Sequence, residues 1–197
     1  MRIIGLTGPS GAGKSHVCKY FKSIGIPVIN ADEVYHGLLI PPSLCLDALK
    51  DAFGKEIFNE SGELSRKKLS EIVFSNKEKL ELLNKTVLGF VLKRIREMID
   101  DLENNGATAV IVDAPTLIES GFHKECNTVI SVLCPAHSRI KRIMERDSID
   151  LSAAEARTKA QKSDEFYINH SNEIIINDQS EAELLTKAEA LAKKLSL

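Results

Sequence analysis

The run Gly8-Pro9-Ser10-Gly11-Ala12-Gly13-Lys14-Ser15 constrains this chain more than any other stretch. It follows the apolar residues Ile3-Ile4-Gly5-Leu6-Thr7 and precedes Val17, Tyr20, Phe21 and Ile24 at helical spacing. A strand, a G-x-x-x-x-G-K-S loop and a helix in that order predict an α/β fold built around a bound anion. The glycines let the backbone take positive φ and approach a ligand closely. Successive N–H groups then point inward as a nest, and the helix N-terminus behind them adds roughly half a positive charge. The expected phosphate-binding set is Gly8, Gly11, Ala12, Gly13, Lys14, Ser15 and His16. Lys14 suits the β and γ phosphates, and the Ser15 hydroxyl suits Mg²⁺. The loop therefore specifies a nucleoside triphosphate and leaves its use open.

With 197 residues, 43% apolar and 27% charged, the chain fits one globular domain with insertions. Lys and Arg number 26 against 28 Asp and Glu, a net charge of −2, which gives no bulk electrostatic case for nucleic acid. No apolar run approaches the roughly 18 residues of a membrane span, and no basic leader precedes the first strand. Cys18, Cys45, Cys126 and Cys134 form no C-x-x-C pair, so free thiols are expected rather than metal ligands. These features predict a cytoplasmic protein with small-molecule partners, no membrane partner, and a monomeric or weakly homo-oligomeric state.

Five apolar runs read as strands: 2–7, 26–29, 108–113, 128–133 and 174–177. They predict a five-stranded parallel sheet flanked by helices, the P-loop NTPase/kinase fold. Ligands of open α/β sheets bind outside the carboxyl ends of the strands. Asp32, just after the second strand, is expected at that edge. It fits both a catalytic carboxylate and the N-cap of a helix over 33–39. Asp113, ending the third strand, fits a Mg²⁺-holding carboxylate and equally a strand-terminating one. Residues 34–105 read as helical, too long for one plain crossover, with Leu80, Leu83, Val87, Val91, Ile95, Met98 and Leu102 at spacings of three and four. Arg139, Arg142 and Arg146 share one face of a helix over 136–147, which suits multidentate phosphate binding. Ser152 and Ser180 read as caps of the last two helices. The expected parts are a core of residues 1–33, 84–135 and 166–197, a helical substrate region over 34–83, and a lid over 136–165.

The constellation suits phosphoryl transfer to a small acceptor, which needs Mg²⁺, cations around the transferred group and an in-line hydroxyl. Asp32 would orient or accept the hydroxyl proton. A kinase of another small hydroxyl acceptor, or a regulatory NTPase, shares the loop. A guanine reader would carry N/T-K-x-D, and Asn84-Lys85-Thr86-Val87 lacks its aspartate.

Further stretches, in order along the chain, resemble the dephospho-CoA kinase family. Val28-Ile29-Asn30-Ala31-Asp32 is similar to V-I-D-A-D, and Gly62-Glu63-Leu64-Ser65-Arg66 to G-x-L-D-R. Ile72-Val73-Phe74-Ser75-Asn76 is similar to I-V-F-x-N, and Asp113-Ala114-Pro115-Thr116-Leu117-Ile118-Glu119 to D-x-P-L-L-F-E. Arg142 to Asp147, Arg157 with Gln161, and Ile176-Asn177 match the later motifs. The resemblance implies ATP- and Mg²⁺-dependent phosphorylation of the ribose 3′-hydroxyl of dephospho-CoA. It implies Asp32 as base with Lys14 as the second catalytic residue. Arg142 and Arg146 would be lid residues on the nucleotide, and Ser15 and Asp113 would stand at the metal. Asp32, Arg66, Pro115 and Leu117 would contact the acceptor. The chain departs from the pattern at Pro9, His16, Asn30, Leu88-Gly89 and Ser171-Asn172. The Leu88-Gly89 change concerns acceptor binding.

Overall fold

A computed structural model of the chain describes residues 1–74 and 76–197, the side chain of Phe74 excepted. Ser75, and with it part of the 72–76 motif, lies outside the described residues. In chain order the elements are β1 (Arg2–Thr7), α1 (Lys14–Ser23), β2 (Val28–Asn30), α2 (Ala31–Leu38), α3 (Leu44–Phe53), α4 (Arg66–Phe74) and α5 (Lys77–Asn104). There follow β3 (Ala109–Asp113), β4 (Thr128–Leu133), α6 (Ala136–Asp147), α7 (Leu151–Lys159), α8 (Asp164–Asn169), β5 (Glu173–Ile176) and α9 (Glu181–Lys194). The chain divides into a sheet unit, Met1–Asn30 with Asp101–Leu197, and a helical unit, Ala31–Asp100.

In the sheet unit the five strands are parallel in the order β2-β3-β1-β4-β5. Every residue of β3 is buried, the signature of a strand covered on both faces. On one face Ile4, Leu6, Val17, Phe21, Ile130, Leu184 and Ala188 join β1, β4, α1 and α9 in one cluster. Each fully buried side chain of this size contributes about 1.5–3 kcal/mol relative to exposure. On the other, Ile118, Leu133 and Tyr167 pack together. The register sets Asn30 and Leu6 beside Asp113, so the carboxyl ends of β2, β3 and β1 lie side by side.

The helical unit has a small core of its own, including Val34, Leu39, Cys45, Leu49, Phe53, Ile57 and Leu69. Ser43 caps α3, its hydroxyl accepting from the Cys45 N–H at 3.2 Å. No helix among the described residues is long and apolar enough to cross a membrane.

Three local expectations need correction. The second strand begins at Val28 rather than Ile26, because Pro27 has no N–H to give the ladder; its carbonyl instead accepts from the Ile111 N–H at 2.9 Å. The following helix starts at Ala31, which puts Asp32 in its first turn and not at its cap. Asp150 caps α7 in place of Ser152, since its carboxylate reaches the Ala153 N–H at 2.8 Å and the helix starts at Leu151. Ser180 does cap α9, with Glu183 completing a capping box.

Candidate functional site

The phosphate loop joins β1 to α1 at the carboxyl end of the central strand. Two of its glycines are dictated by geometry. Gly8 has φ +135°, and a Cβ there would lie 2.2 Å from the Val132 carbonyl oxygen. Gly13 has φ +104°, and a Cβ would lie 2.4 Å from Asn177 Nδ2. The turn is closed by Ala12 N–H to Pro9 O at 3.3 Å and His16 N–H to Gly13 O at 3.1 Å. Lys14 curls over the loop and donates to Gly8 O at 2.8 Å and Pro9 O at 3.4 Å. Ser15 is exposed at the start of α1, and His16 is half-buried.

Distant elements hold the loop from behind and above. Asn177, buried just past β5, donates to the Ala12 carbonyl at 2.8 Å. From α6, Arg142 donates to the Gly11 carbonyl at 3.1 Å and to Cys134 Sγ at 3.2 Å. One turn on, Arg146 donates to Ser10 Oγ at 3.2 Å and to Asp147 Oδ1 at 2.7 Å. Asp147 also accepts from Arg157 of α7. The hydrogen bond from Arg146, reinforced by Arg157, holds the Asp147 carboxyl below the usual carboxylate range. Gln161, past the end of α7, accepts from the Ser10 N–H at 3.1 Å. The segment expected to act as a lid thus touches the loop at Ser10 and Gly11. Beside the loop a cavity of about 150 Å³ is lined by Gly13, His16, Arg142, Asn177, Glu181 and Leu184. The His16 ring pairs with Glu181 across it, Nδ1 to Oε1 at 2.6 Å.

Arg139 does not join its two neighbours on the loop. It lies in the first turn of α6, which packs directly against Gly11: a Cβ at Gly11 would be 2.9 Å from the Arg139 carbonyl oxygen. The side chain is therefore buried, with Nη1 3.9 Å from Asp164 Oδ1.

At the end of β3, Asp113 is buried, and Asn30 Nδ2 donates to its Oδ2 at 3.3 Å. Burial, and after it the Asp113 carboxylate, push the Cys18 thiol upward, so it stays protonated. Pro115 is exposed, and its carbonyl accepts from Thr7 Oγ1 at 3.2 Å. Leu117 is fully buried and packs on Gly5, where a Cβ would lie 2.4 Å from it. Among the described residues no group of three or more His, Cys, Asp or Glu side chains could hold a metal by itself. Ser15 carries a hydroxyl and Asp113 a carboxylate, oxygen donors of the kind Mg²⁺ takes.

In the helical unit, Asp32 is exposed in the first turn of α2. Tyr35 and His36 follow at i+3 and i+4, on the same helix face. Their rings lie 5.6 Å apart, tilted by 38°. Arg66 opens α4 and is exposed. Burial and then Cys45 push the Tyr35 phenol upward, against a smaller opposing pull from the nearby Arg66 guanidinium.

Sequence reasoning did not place Gln161, Asn177 or Glu181 among the residues around the loop. Gln161 and Asn177 stand inside matched motifs, which was the available signal; Glu181 carried none.

The dephospho-CoA kinase family model matches residues 2–183. The chain is 33% identical over 194 residues to the dephospho-CoA kinase of Dehalococcoides mccartyi, covering 98% of each. The structure of a dephospho-CoA kinase from Campylobacter jejuni superposes with a TM-score of 0.74 at 30% identity, covering 100% of this chain and 98% of that one. A Thermus thermophilus structure superposes with a TM-score of 0.82 at 28% identity, covering 98% and 97%.

Proposed function

The chain belongs to the dephospho-CoA kinase family, and on that premise we propose that it transfers the γ-phosphoryl group of ATP to the ribose 3′-hydroxyl of dephospho-CoA, giving coenzyme A. The observation that carries the reading is the phosphate loop, its Ala12 and Gly11 carbonyls held by Asn177 and Arg142.

In the reaction the acceptor oxygen bonds to the γ phosphorus, the bond to the β–γ bridging oxygen breaks, and the hydroxyl proton goes to Asp32 as general base. The N–H groups of Gly11, Gly13 and Ser15 and the Lys14 ammonium hold the β and γ phosphates, with Ala12 and His16 completing the turn. Lys14, which rests on the Gly8 and Pro9 carbonyls, exchanges those acceptors for phosphate oxygens. Arg142 and Arg146 of the 136–165 segment supply further positive charge to the transferred group. Ser15 and Asp113 would hold Mg²⁺, directly or through water. Held there, it would supply positive charge against the phosphates. The helical unit takes the acceptor, with Arg66 on it. Pro115 offers a further acceptor contact, and Leu117 braces that turn from the core. Four free thiols support a cytoplasmic enzyme. We take its partners to be small molecules and its state to be monomeric or weakly homo-oligomeric.

The test is ADP release by the purified chain with ATP and Mg²⁺, offered dephospho-CoA, adenosine or shikimate. Dephospho-CoA should stimulate release at least tenfold over the acceptor-free rate and more than the other two. Equal rates with and without it would reject the proposal.

A further inference from the structure

The cavity beside the phosphate loop carries one acid that phosphate binding does not use. Glu181 is the first residue of α9 and faces His16 of α1, whose ring Nδ1–H donates to its Oε1 at 2.6 Å. The pair joins the helix of the loop to the helix after β5, across the hollow of about 150 Å³. A cavity of that size takes one flat ring. Its floor is apolar: Leu184 is buried, with Cδ2 3.3 Å from where a Cβ on Gly13 would stand. Its other side chains are polar, and two of them are committed to the loop, Asn177 to the Ala12 carbonyl and Arg142 to the Gly11 carbonyl. Glu181 stands at the rim, its side chain 64% exposed, and among the described residues its Oε2 has no hydrogen-bond partner. A carboxylate beside a cradle for phosphates repels a triphosphate unless it meets a donor elsewhere on the nucleotide.

We propose that Glu181, set in place by His16, selects a 6-aminopurine nucleotide, its carboxylate accepting from the exocyclic amine of a base seated in this cavity. The inference rests on the ATP-dependent reading above and goes beyond it by naming the residue that chooses the base. Gly13 and His16 belong both to the loop and to the cavity wall, so a nucleotide whose phosphates lie in the loop has this hollow next to it. A purine has two apolar faces and polar edges, which suits buried Leu184 with a carboxylate at the rim. A ribose, hydroxylated on its faces, does not suit the leucine. An amine at C6 donates to the carboxylate, whereas the carbonyl oxygen of a 6-oxopurine is a second acceptor and is repelled by it. His16 is a positioning residue: it fixes a long exposed side chain before the base arrives, which lowers the ordering cost of binding. His16 is a departure from the family pattern, and the pairing with Glu181 comes with it.

The experiment titrates wild type, Glu181→Gln, His16→Ala and the double variant with ATP, ITP and dATP in the presence of Mg²⁺, by calorimetry. ATP and ITP share ribose and triphosphate and differ in the amine or carbonyl at C6; dATP lacks only the 2′-hydroxyl. Glutamine keeps the length of the side chain and adds a donor for a carbonyl. The position is exposed and the α9 cap rests on Ser180 and Glu183, so the variant folds. A hydrogen bond to an exposed charged group corresponds to about tenfold in affinity. Wild type should bind ATP at least tenfold tighter than ITP. Glu181→Gln should lower that ratio about tenfold and leave the ratio of ATP to dATP unchanged. His16→Ala should lower the ATP-to-ITP ratio in the wild-type background and not in the Glu181→Gln background, because it acts through Glu181. Damage to the loop alone would weaken ATP and ITP equally, and that result would overturn the inference. So would a wild type indifferent to the two bases, a Glu181→Gln ratio equal to that of wild type, or a loss that follows the 2′-hydroxyl. A His16→Ala ratio equal to that of wild type would remove His16 from its positioning role. ADP release with dephospho-CoA is measured on the same samples: base selection without stimulated release would sink the acceptor assignment alone, and no binding of ATP would sink the function and the inference together.

Discussion

Replacing Asn177 by aspartate isolates the bond on which the shape of the phosphate loop rests. The two side chains have nearly the same volume, so no cavity opens. Asn177 is 5% exposed, and its Nδ2 donates to Ala12 O at 2.8 Å. Ala12 is itself buried. Asn177→Asp removes the donor, leaves the carbonyl unsatisfied and sets a carboxylate oxygen against it. An unsatisfied buried polar group costs about 1–3 kcal/mol, and the oxygen–oxygen contact places this case at about 3 kcal/mol. For a chain of this length about 2–4 °C of Tm follows each kcal/mol, so Tm should fall by roughly 6–12 °C at neutral pH. The new carboxyl is buried, and burial raises its folded pKa above the unfolded one against the opposing pull of Arg142 on the same cavity. Its neutral form can donate to Ala12 O, and the deficit should shrink as pH falls through the raised value and grow as pH rises through it. The KM for ATP should increase about tenfold at neutral pH, since the loop distorts and gains a negative charge. Scanning calorimetry across pH, together with ATP titrations, measures both effects. A Tm within about 1 °C of wild type at neutral pH, with KM for ATP unchanged, would refute the structural role given to this hydrogen bond.

Asp32→Asn should retain ATP binding and lose about 10²–10⁴-fold in turnover with dephospho-CoA, measured by coupled ADP release; near wild-type kcat would leave Asp32 only a place in the first turn of α2. Arg142→Ala removes the donor to Gly11 O and should lower kcat about tenfold at saturating ATP, a loss that raising ATP does not repair. The Asp147 carboxyl is depressed by Arg146 and Arg157, so its stabilising contribution is present above the ordinary carboxylate range and lost as pH falls through the lowered folded value. Thermal stability should accordingly show no step from this group between about pH 8 and 5. Asp147→Asn should flatten part of the acid limb below that range, and an unchanged acid limb would exclude the contribution.

The parts of the molecule with local signals were legible in the sequence. The loop pattern is a continuous octet, and β3 and β4 are mostly apolar runs, so the parallel sheet and the anion cradle could be read directly. What secures the cradle could not. Asn177 reaches Ala12 across 165 residues, and Gln161 reaches Ser10 across 151. No pattern within one chain marks which distant amide will meet which carbonyl. Periodicity placed Arg139 on the face of Arg142 and Arg146 but says nothing about depth. The first turn of α6 packs against Gly11, and there the same face points into the protein. The correction at α7 has a simpler source: Asp150 and Ser152 are both good caps, and only the geometry decides between them.

The strand order distributes stability unevenly among the parts of the site. The phosphate loop leaves β1, which has a hydrogen-bonded neighbour on each side, whereas β2 and β5 are edges, and β2 has only three residues. Edge strands open at lower free energy than central ones, and amide exchange should report β1, β3 and β4 as slower than β2 and β5. β2 runs straight into Asp32, and β5 into Asn177. The phosphate loop is thus attached to a central strand, while Asp32, the proposed base, follows an edge strand of three residues. Substitutions in β2 that loosen it should alter which acceptors are taken before they alter whether ATP is held.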